Sequence, residues 1–168
     1  MTRTSNTTEL YNPDADHWRD QIYYFSGKWF YCTALKVYSW SGKWIGSYCE
    51  RPDPEVIQKY GSYFRYYSNL KDNNGDGEVL PSVVLRGFFL MDNFNKGVSL
   101  PYAEQDCLVE FFPKNECILT VIGKGRNTFG VYLIYGELNR LNNTLEVQRQ
   151  YVADNDVRLH WSARELVV

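Results

Sequence analysis

Histidine and closely spaced cysteine are scarce in this chain of 168 residues. The two histidines are His17 and His160, and the four cysteines, none of which forms a C-x-x-C pair, are Cys32, Cys49, Cys107 and Cys117. Zinc sites are built from closely spaced cysteines and histidines. The pattern therefore predicts no metal site, and it favours reduced, buried thiols.

Long apolar runs and an excess of positive charge are also missing. No stretch approaches the roughly 20 apolar residues of a transmembrane helix, and residues 1–18 contain no apolar core of a secretory signal peptide. The net charge is -2, which argues against nucleic-acid binding because phosphate contacts need clustered Lys and Arg. We expect a soluble, intracellular protein that is not secreted and has no membrane span and no nucleic-acid partner.

Motifs that carry chemistry are incomplete. The stretch DNNGDGEVLPSV resembles a calcium loop, but Val83 stands where a bidentate Glu belongs. GKGRNTFG at 123–130 leads into a strand-like segment rather than a helix, so tight-turn glycines and Asn127 explain it without a nucleotide. G-x-S-x-G and H-E-x-x-H are absent, which leaves hydrolase chemistry without support.

Aromatic residues are abundant, at 17% of the chain with 14 Tyr. Such side chains suit strands and the walls of ligand cavities. Short aromatic and β-branched segments follow one another between Gly, Asn, Asp and Pro clusters, from KWFYCTALKVYSW at 28–40 to VRLHW at 157–161. We predict an all-β fold, in which a flexible tail (1–11) precedes a single antiparallel up-and-down β-barrel of eight to ten strands (12–168).

Two short helices are predicted beside the barrel. The first begins after Asn12-Pro13-Asp14, because Trp18, Ile22 and Phe25 then share one face. The second covers DPEVIQKY at 53–60.

The tetrapeptide Ser-Gly-Lys-Trp occurs twice, at 26–29 and at 41–44. Each copy is predicted to be a turn that leads into a strand, with its Trp as the first large inward side chain.

Three charged residues share strand faces with apolar side chains. In TLEVQRQYV, alternation places Arg149 on the face of Leu145, Val147 and Tyr151. By the same count Arg86 shares a face with the apolar residues 84, 88 and 90, and Glu110 shares one with residues 108 and 112. A buried charge needs an ion-pair partner or a ligand.

Alternatives stay open for each charge. Arg149 either stacks over a Trp at the end of the barrel or offers its guanidinium to a carboxylate ligand in a cavity. Arg86 either pairs with Glu110 inside the barrel or lies on a strand face that meets solvent.

A helix followed by Gly27-Lys28-Trp29 resembles the calycin, or lipocalin-like, barrels. In that family the Trp closes the bottom of the barrel and an Arg of a late strand packs across it. The resemblance thus makes Gly27 and Trp29 barrel-closing residues, with Arg149 or Arg158 packing across them.

Within the calycins the chain is most similar to the S-type phycobiliprotein lyases. The similar fragments are YYFSGKWFYC at 23–32, DPEVI at 53–57, VVLRGFFLMDN at 83–93 and QYVADNDVRLHW at 150–161. Met91 stands where the family usually has Trp, and SARELVV replaces the family's NLRLRTS ending.

This resemblance implies that the barrel binds an open-chain tetrapyrrole, a bilin, without holding it covalently, and attaches it to a cysteine of a phycobiliprotein subunit. The implied ligand-binding residues are Arg149, Arg158, Arg86, Trp161, Tyr151 and Tyr132. Glu137 or Glu110 would protonate or orient the bilin as the catalytic carboxylate. The implied setting is the cytoplasm or the plastid stroma, as a monomer or homodimer.

Two other functions fit the same barrel. The first is a non-catalytic binding or assembly protein whose barrel is filled by its own aromatic side chains. The second is a lipocalin-like isomerase or cyclase that acts on an apolar substrate.

Overall fold

The computed structural model describes residues 20–48, 50–68, 82–93 and 97–160. Its elements are β1 (Ile22–Cys32), β2 (Val37–Ser47), helix α1 (Pro54–Tyr60), β3 (Ser62–Ser68), β4 (Ser82–Asn93), β5 (Val98–Pro113), β6 (Ile118–Asn127), β7 (Gly130–Asn139), β8 (Thr144–Val152) and a 3-10 turn, Val157–His160. Each strand pairs antiparallel with the next, and β8 pairs with β1 to close the barrel. The predicted all-β, up-and-down barrel is confirmed, with eight strands in the described part.

Aromatic side chains fill the interior because inward and outward positions alternate along each strand. In β3, for example, Phe64 and Tyr66 are buried while Tyr63 and Tyr67 are exposed. Inside the barrel the rings of Trp40 and Phe64 lie 4.6 Å apart, centroid to centroid. We call the end that carries the β1–β2 turn the lower end, and the end that carries the β6–β7 turn the upper end.

Strand β5 contains a bulge that changes which of its residues face inward. Leu85 of β4 pairs with Cys107, whereas Gly87, two residues later, pairs with Glu104, three residues earlier. The extra residue leaves both Gln105 and Asp106 exposed. Glu104 and Cys107 therefore both face the interior.

The two Ser-Gly-Lys-Trp copies pair with each other in the middle of β1 and β2. Gly27 lies opposite Gly42, Trp29 opposite Trp40, and Phe25 opposite Trp44. The prediction that each copy is a turn is wrong, because the glycines serve close packing of the two strands. A Cβ on Gly27 would lie 2.2 Å from the carbonyl oxygen of Ser41.

Helix α1 is confirmed at 54–60. Its Ile57 is buried, and the amide of Gly61 ends the helix by donating to the Ile57 carbonyl at 2.8 Å. The Asp53 side chain makes no capping hydrogen bond, although its carbonyl accepts from the amides of Val56 and Ile57. Within the described part of the chain, no helix is long and apolar enough to cross a membrane.

Three predicted boundaries are corrected. Residues 22–25 belong to strand β1, not to a helix, because their side chains are held in the barrel sheet. The segment 28–40 forms parts of two strands joined by a turn at 33–36, in which Lys36 has a positive φ of 54°. VRLH at 157–160 is a 3-10 turn instead of a strand.

Two further predictions fall on residues that the structure does not describe. They are the tail and first helix before residue 20, and residues 72–81 of the calcium-loop look-alike. By contrast, the tight turn predicted in GKGRNTFG is confirmed. There the side-chain oxygen of Asn127 accepts from the amide of Phe129 at 2.9 Å, and Gly130 has a φ of 128°.

Candidate functional site

A buried ion pair joins two strands across the barrel. Arg149 of β8 donates through Nη1 to Oε1 of Glu104 on β5, and the side chains are 2% and 0% exposed. Removing two charges from water is costly, so both need further partners to remain in the interior.

Neutral donors complete the surroundings of Glu104. Its Oε2 accepts from the Tyr132 hydroxyl at 2.7 Å. Its Oε1 accepts from Asn127 Nδ2 at 3.1 Å and from the Tyr66 hydroxyl at 3.4 Å. With the guanidinium, four donors serve the carboxylate, which matches the number that an ionised carboxylate accepts.

The guanidinium of Arg149 lies between two aromatic rings. Its central carbon is 3.9 Å from the ring centroid of Tyr132 and 4.4 Å from that of Phe25. Its Nε and Nη2 are buried and have no hydrogen-bond partner among the described residues, while the Tyr151 hydroxyl is a further hydrogen-bonding neighbour of the guanidinium. Burial alone would lower the pKa of Arg149, but the Glu104 charge raises it above its ordinary value, so the group stays cationic.

The remaining titratable groups in this cluster stay neutral. Burial raises the pKa values of Tyr66, Tyr132 and Tyr151 above the ordinary value for tyrosine. Burial likewise raises the pKa of the Cys107 thiol to about 12. Because the thiolate is the reactive form of cysteine, Cys107 has no nucleophilic role at neutral pH.

A cleft opens above Arg149 at the upper end. Its walls are Tyr23, Phe25, Trp44, Phe89, Met91, Phe129, Arg149 and Tyr151. The volume of this cleft is about 20 Å³, which is room for about one water molecule. At its rim the half-buried rings of Phe129 and Tyr102 lie 5.2 Å apart.

The structure brings together three of the predicted site residues. Arg149, Tyr132 and Tyr151 share the interior cluster, and the rings of Tyr132 and Tyr151 meet edge to face at 5.5 Å. Gly27 and Trp29 lie on β1, where Trp29 is buried near the lower end and stacks on Tyr38 at 5.3 Å. Arg149 packs over Phe25 and Tyr132 rather than over a Trp.

Two of the predicted arginines lie on the outer surface. Arg86 is 61% exposed and pairs with Asp106 at 3.1 Å. Arg158 pairs with Asp156 at 2.8 Å, and these hydrogen bonds lower the pKa of Asp156 to about 2. The prediction of an interior Arg86–Glu110 pair is therefore wrong, and the alternative that Arg86 faces solvent is confirmed. The apolar neighbours of Arg86 belong to an outward face, on which Phe88 is 41% exposed.

The two predicted catalytic carboxylates also lie outside the barrel. Glu110 is half-buried on the outward face of β5, beside the inward Val109 and Phe111. Glu137 forms an exposed ion pair with Lys114. Trp161 lies outside the described residues.

Glu137 borders a second concavity, on the outer face of β1, β7 and β8. Its volume is about 340 Å³. Glu137 lies directly opposite Glu146, and such like-charged pairs are unfavourable. Arg51 compensates by reaching Glu146 at 2.5 Å. Both carboxylates at this concavity are therefore already paired with cations, Glu137 with Lys114 and Glu146 with Arg51.

Glu104 is the interior residue that sequence reasoning missed. Strict alternation from Glu110 places every even-numbered residue of β5 outside, and the bulge reverses this at residue 104. The available signal was the run of three consecutive polar residues, Glu104, Gln105 and Asp106, which breaks the alternation of the strand.

Comparison with known proteins adds no relative. No protein-family model, no curated protein and no solved structure matches the chain. The closed eight-stranded antiparallel barrel is compatible with a calycin-like fold. In the described ranges, no group of three or more His, Cys, Asp or Glu side chains could hold a metal ion.

Proposed function

We propose that the protein binds a small amphipathic carboxylate in the cleft above Arg149. The observation that carries the proposal is the pair of buried guanidinium nitrogens, Nε and Nη2, without hydrogen-bond partners in the described part of the chain. A carboxylate would accept from both in a fork geometry that suits Arg. The surrounding rings and Met91 would contact the apolar body of the ligand.

The size of the cleft favours a ligand with one or two rings or a short chain. Room for one water is less than the three heavy atoms of a carboxylate need, so both the head and the body of the ligand require displacement of the rings of Phe129 and Tyr102. Phe129 is only half-buried and sits in the β6–β7 turn, so its displacement leaves the barrel strands paired.

Binding of a bilin, with lyase activity, is the narrower form of this proposal. Arg149, Tyr132 and Tyr151 have the interior placement that it needs. A tetrapyrrole is much larger than the cleft, so more of the aromatic filling would have to move. The outward positions of Glu137 and Glu110 give the lyase step no carboxylate inside the barrel.

The filled barrel supports a second candidate, a non-catalytic binding or assembly protein that acts through its outer surface. In that case the Arg149–Glu104 pair serves only to hold β5 and β8 in register across the interior. The interior packing of Trp40, Phe64, Tyr66 and Tyr132, each fully buried, favours this candidate.

Titration of the purified protein with matched ligands distinguishes carboxylate binding from the assembly-protein function. The ligands are 2-naphthoate, octanoate and phycocyanobilin, and the methyl esters of the first two serve as uncharged controls. Binding is measured by Trp fluorescence and by calorimetry. We expect each acid to bind roughly tenfold or more tightly than its ester, because hydrogen bonds to charged groups are the stronger ones. A change in the phycocyanobilin absorption spectrum would support the bilin form.

Two matched Trp variants locate the site. Trp44 lines the cleft, whereas Trp29 lies near the lower end, and the two are 5% and 4% exposed. Trp44→Phe should remove the fluorescence response and Trp29→Phe should keep it. Equal affinity for acid and ester, or binding by none of the panel, would leave the assembly protein as the function.

A further inference from the structure

Exposed aromatic rings gather on one outward face of the barrel, around β3. Tyr63 is 61% exposed, Tyr67 39% and Phe88 41%. Single exposed aromatic residues are ordinary, but a contiguous group marks an interaction site. We call this group, with Lys43, Arg65 and Arg86, the β3 face.

The strand register places these side chains side by side. Tyr63, Arg65 and Tyr67 alternate outward along β3, at intervals of roughly 6.6 Å. Arg65 lies directly opposite Phe88 of β4. On its other side Phe88 faces Ala103 of β5, whose methyl group is too small to cover the ring.

Positive charge surrounds these rings. Lys43 lies opposite Tyr63, and its ammonium sits 4.8 Å from the ring centroid and donates to the Gln58 carbonyl at 2.6 Å. Arg65 is exposed, and Arg86 pairs with Asp106. The β3 face thus holds three cations, one of them paired with a carboxylate, in a chain whose net charge is -2.

We propose that the β3 face binds single-stranded nucleic acid. Unpaired bases stack on Tyr63, Tyr67 and Phe88, while the cations contact phosphates. The net charge of the chain predicts no nucleic-acid partner, and the proposal departs from that prediction because the strand register groups cations that are dispersed in the sequence. Exposed charges are screened beyond about 8–10 Å, so the phosphates meet mainly these local cations. Rings alternating with Arg on a sheet suit flat bases better than an acidic peptide, which offers no second stacking surface.

The test is fluorescence anisotropy with labelled strands of about 12 nucleotides, a length within the site sizes of sheet-based single-strand binders. Poly(dT) and poly(U) are used because they form no duplex, and a DNA duplex and poly-glutamate of equal charge serve as comparators. We expect a Kd of about 10⁻⁵ M for the single strands at physiological salt, with weaker binding of both comparators.

Variants separate stacking from charge. Tyr63→Ser and Phe88→Ser should each weaken binding roughly tenfold. Arg65→Gln and Lys43→Gln should each reduce the slope of log affinity against log salt by about 0.7. Tyr135→Ser is the matched control, because Tyr135 is 47% exposed on β7, away from the β3 face.

Several results would overturn the proposal. These are no binding of either strand at low salt, equal affinity for poly-glutamate, or equal losses in Tyr135→Ser and Tyr63→Ser. Self-association through this face, seen as a dimer by light scattering that Phe88→Ser abolishes, would also replace nucleic acid with a second copy as the occupant.

Discussion

Arg149 and Glu104 depend on each other because both are removed from water. The carboxylate has four donors, and the guanidinium has one carboxylate and two ring faces. If one partner loses its charge, the other stays buried without compensation, and this costs far more than the intact pair contributes.

Glu104→Gln should therefore lower the free energy of unfolding by about 3–5 kcal/mol, although its shape is nearly unchanged. Urea unfolding followed by circular dichroism measures this. The matched control is Glu137→Gln, which breaks an exposed ion pair with Lys114 and should leave the urea midpoint unchanged.

A double replacement checks the reason for the loss. Glu104→Leu combined with Arg149→Met removes both charges and keeps the volume apolar, so it should recover most of the stability that Glu104→Gln loses. If the double variant is no more stable than Glu104→Gln, the uncompensated charge is not the cause.

At this scale the sequence predicted one half of the pair. Arg149 lies on a strand with unbroken alternation, so Leu145, Val147 and Tyr151 gave its inward direction correctly. Glu104 could not be predicted in this way, because its direction depends on a bulge in the ladder between β4 and β5. For Arg86 the solvent-facing alternative is confirmed, and the interior alternative for Arg86 and Glu110 is wrong because apolar neighbours also occur on outward faces.

The paired glycines of β1 and β2 mark a close approach of the two strand backbones. Each lacks a side chain where the backbone of the other strand passes. A Cβ on Gly42 would lie 2.1 Å from the carbonyl oxygen of Ser26. The flanking pairs, Phe25 with Trp44 and Trp29 with Trp40, supply the bulk on either side.

Gly27→Ala and Gly42→Ala should each destabilise the protein by about 1–3 kcal/mol or more, because the added methyl group meets backbone that cannot yield. Thermal unfolding measures the change. Gly97→Asn is the control, since Gly97 has a φ of 63° with nothing within 4 Å, and Asn tolerates that conformation. Unchanged melting of both Ala variants would contradict the close approach.

The strand order followed from the spacing of aromatic segments, but several element boundaries did not. Trp18, Ile22 and Phe25 match helical spacing, yet residues 22–25 are strand because both β2 and β8 pair with them. Such tertiary pairing outweighs local periodicity. VRLH is apolar enough for a strand, but it turns where Asp156 accepts from the amides of Arg158 and Leu159 through its side chain and carbonyl respectively.

The stability of the whole barrel depends on buried phenol groups and one buried thiol staying protonated. Burial raises the pKa values of Tyr23, Tyr66, Tyr132 and Tyr151 in the folded protein. When the chain unfolds, these groups return to ordinary values near 10 for Tyr and 8.5 for Cys. The folded state therefore keeps protons that the unfolded state releases in alkali.

Stability should be independent of these groups below about pH 8 and should fall above that, first through Cys107, whose folded pKa is about 12, and then through the tyrosines above pH 10. Each group costs about 1.4 kcal/mol per pH unit once the unfolded form ionises. The part of the tyrosinate absorbance that comes from the buried tyrosines should appear together with the loss of the circular dichroism signal. Ionisation of the buried tyrosines before the loss of structure would contradict their protection.

The pairing of β8 with β1 also determines how the barrel can assemble. Seven of the eight pairings join strands that are neighbours in the chain, whereas this one joins segments such as Ser26 and Glu146, 120 residues apart. Closing so long a loop costs the most conformational entropy, so we expect this seam to form last in folding. Until it closes, β1 and β8 are open edges, and at high concentration the β8 of one copy can pair with the β1 of another, which makes strand exchange the characteristic misfolding route of this barrel.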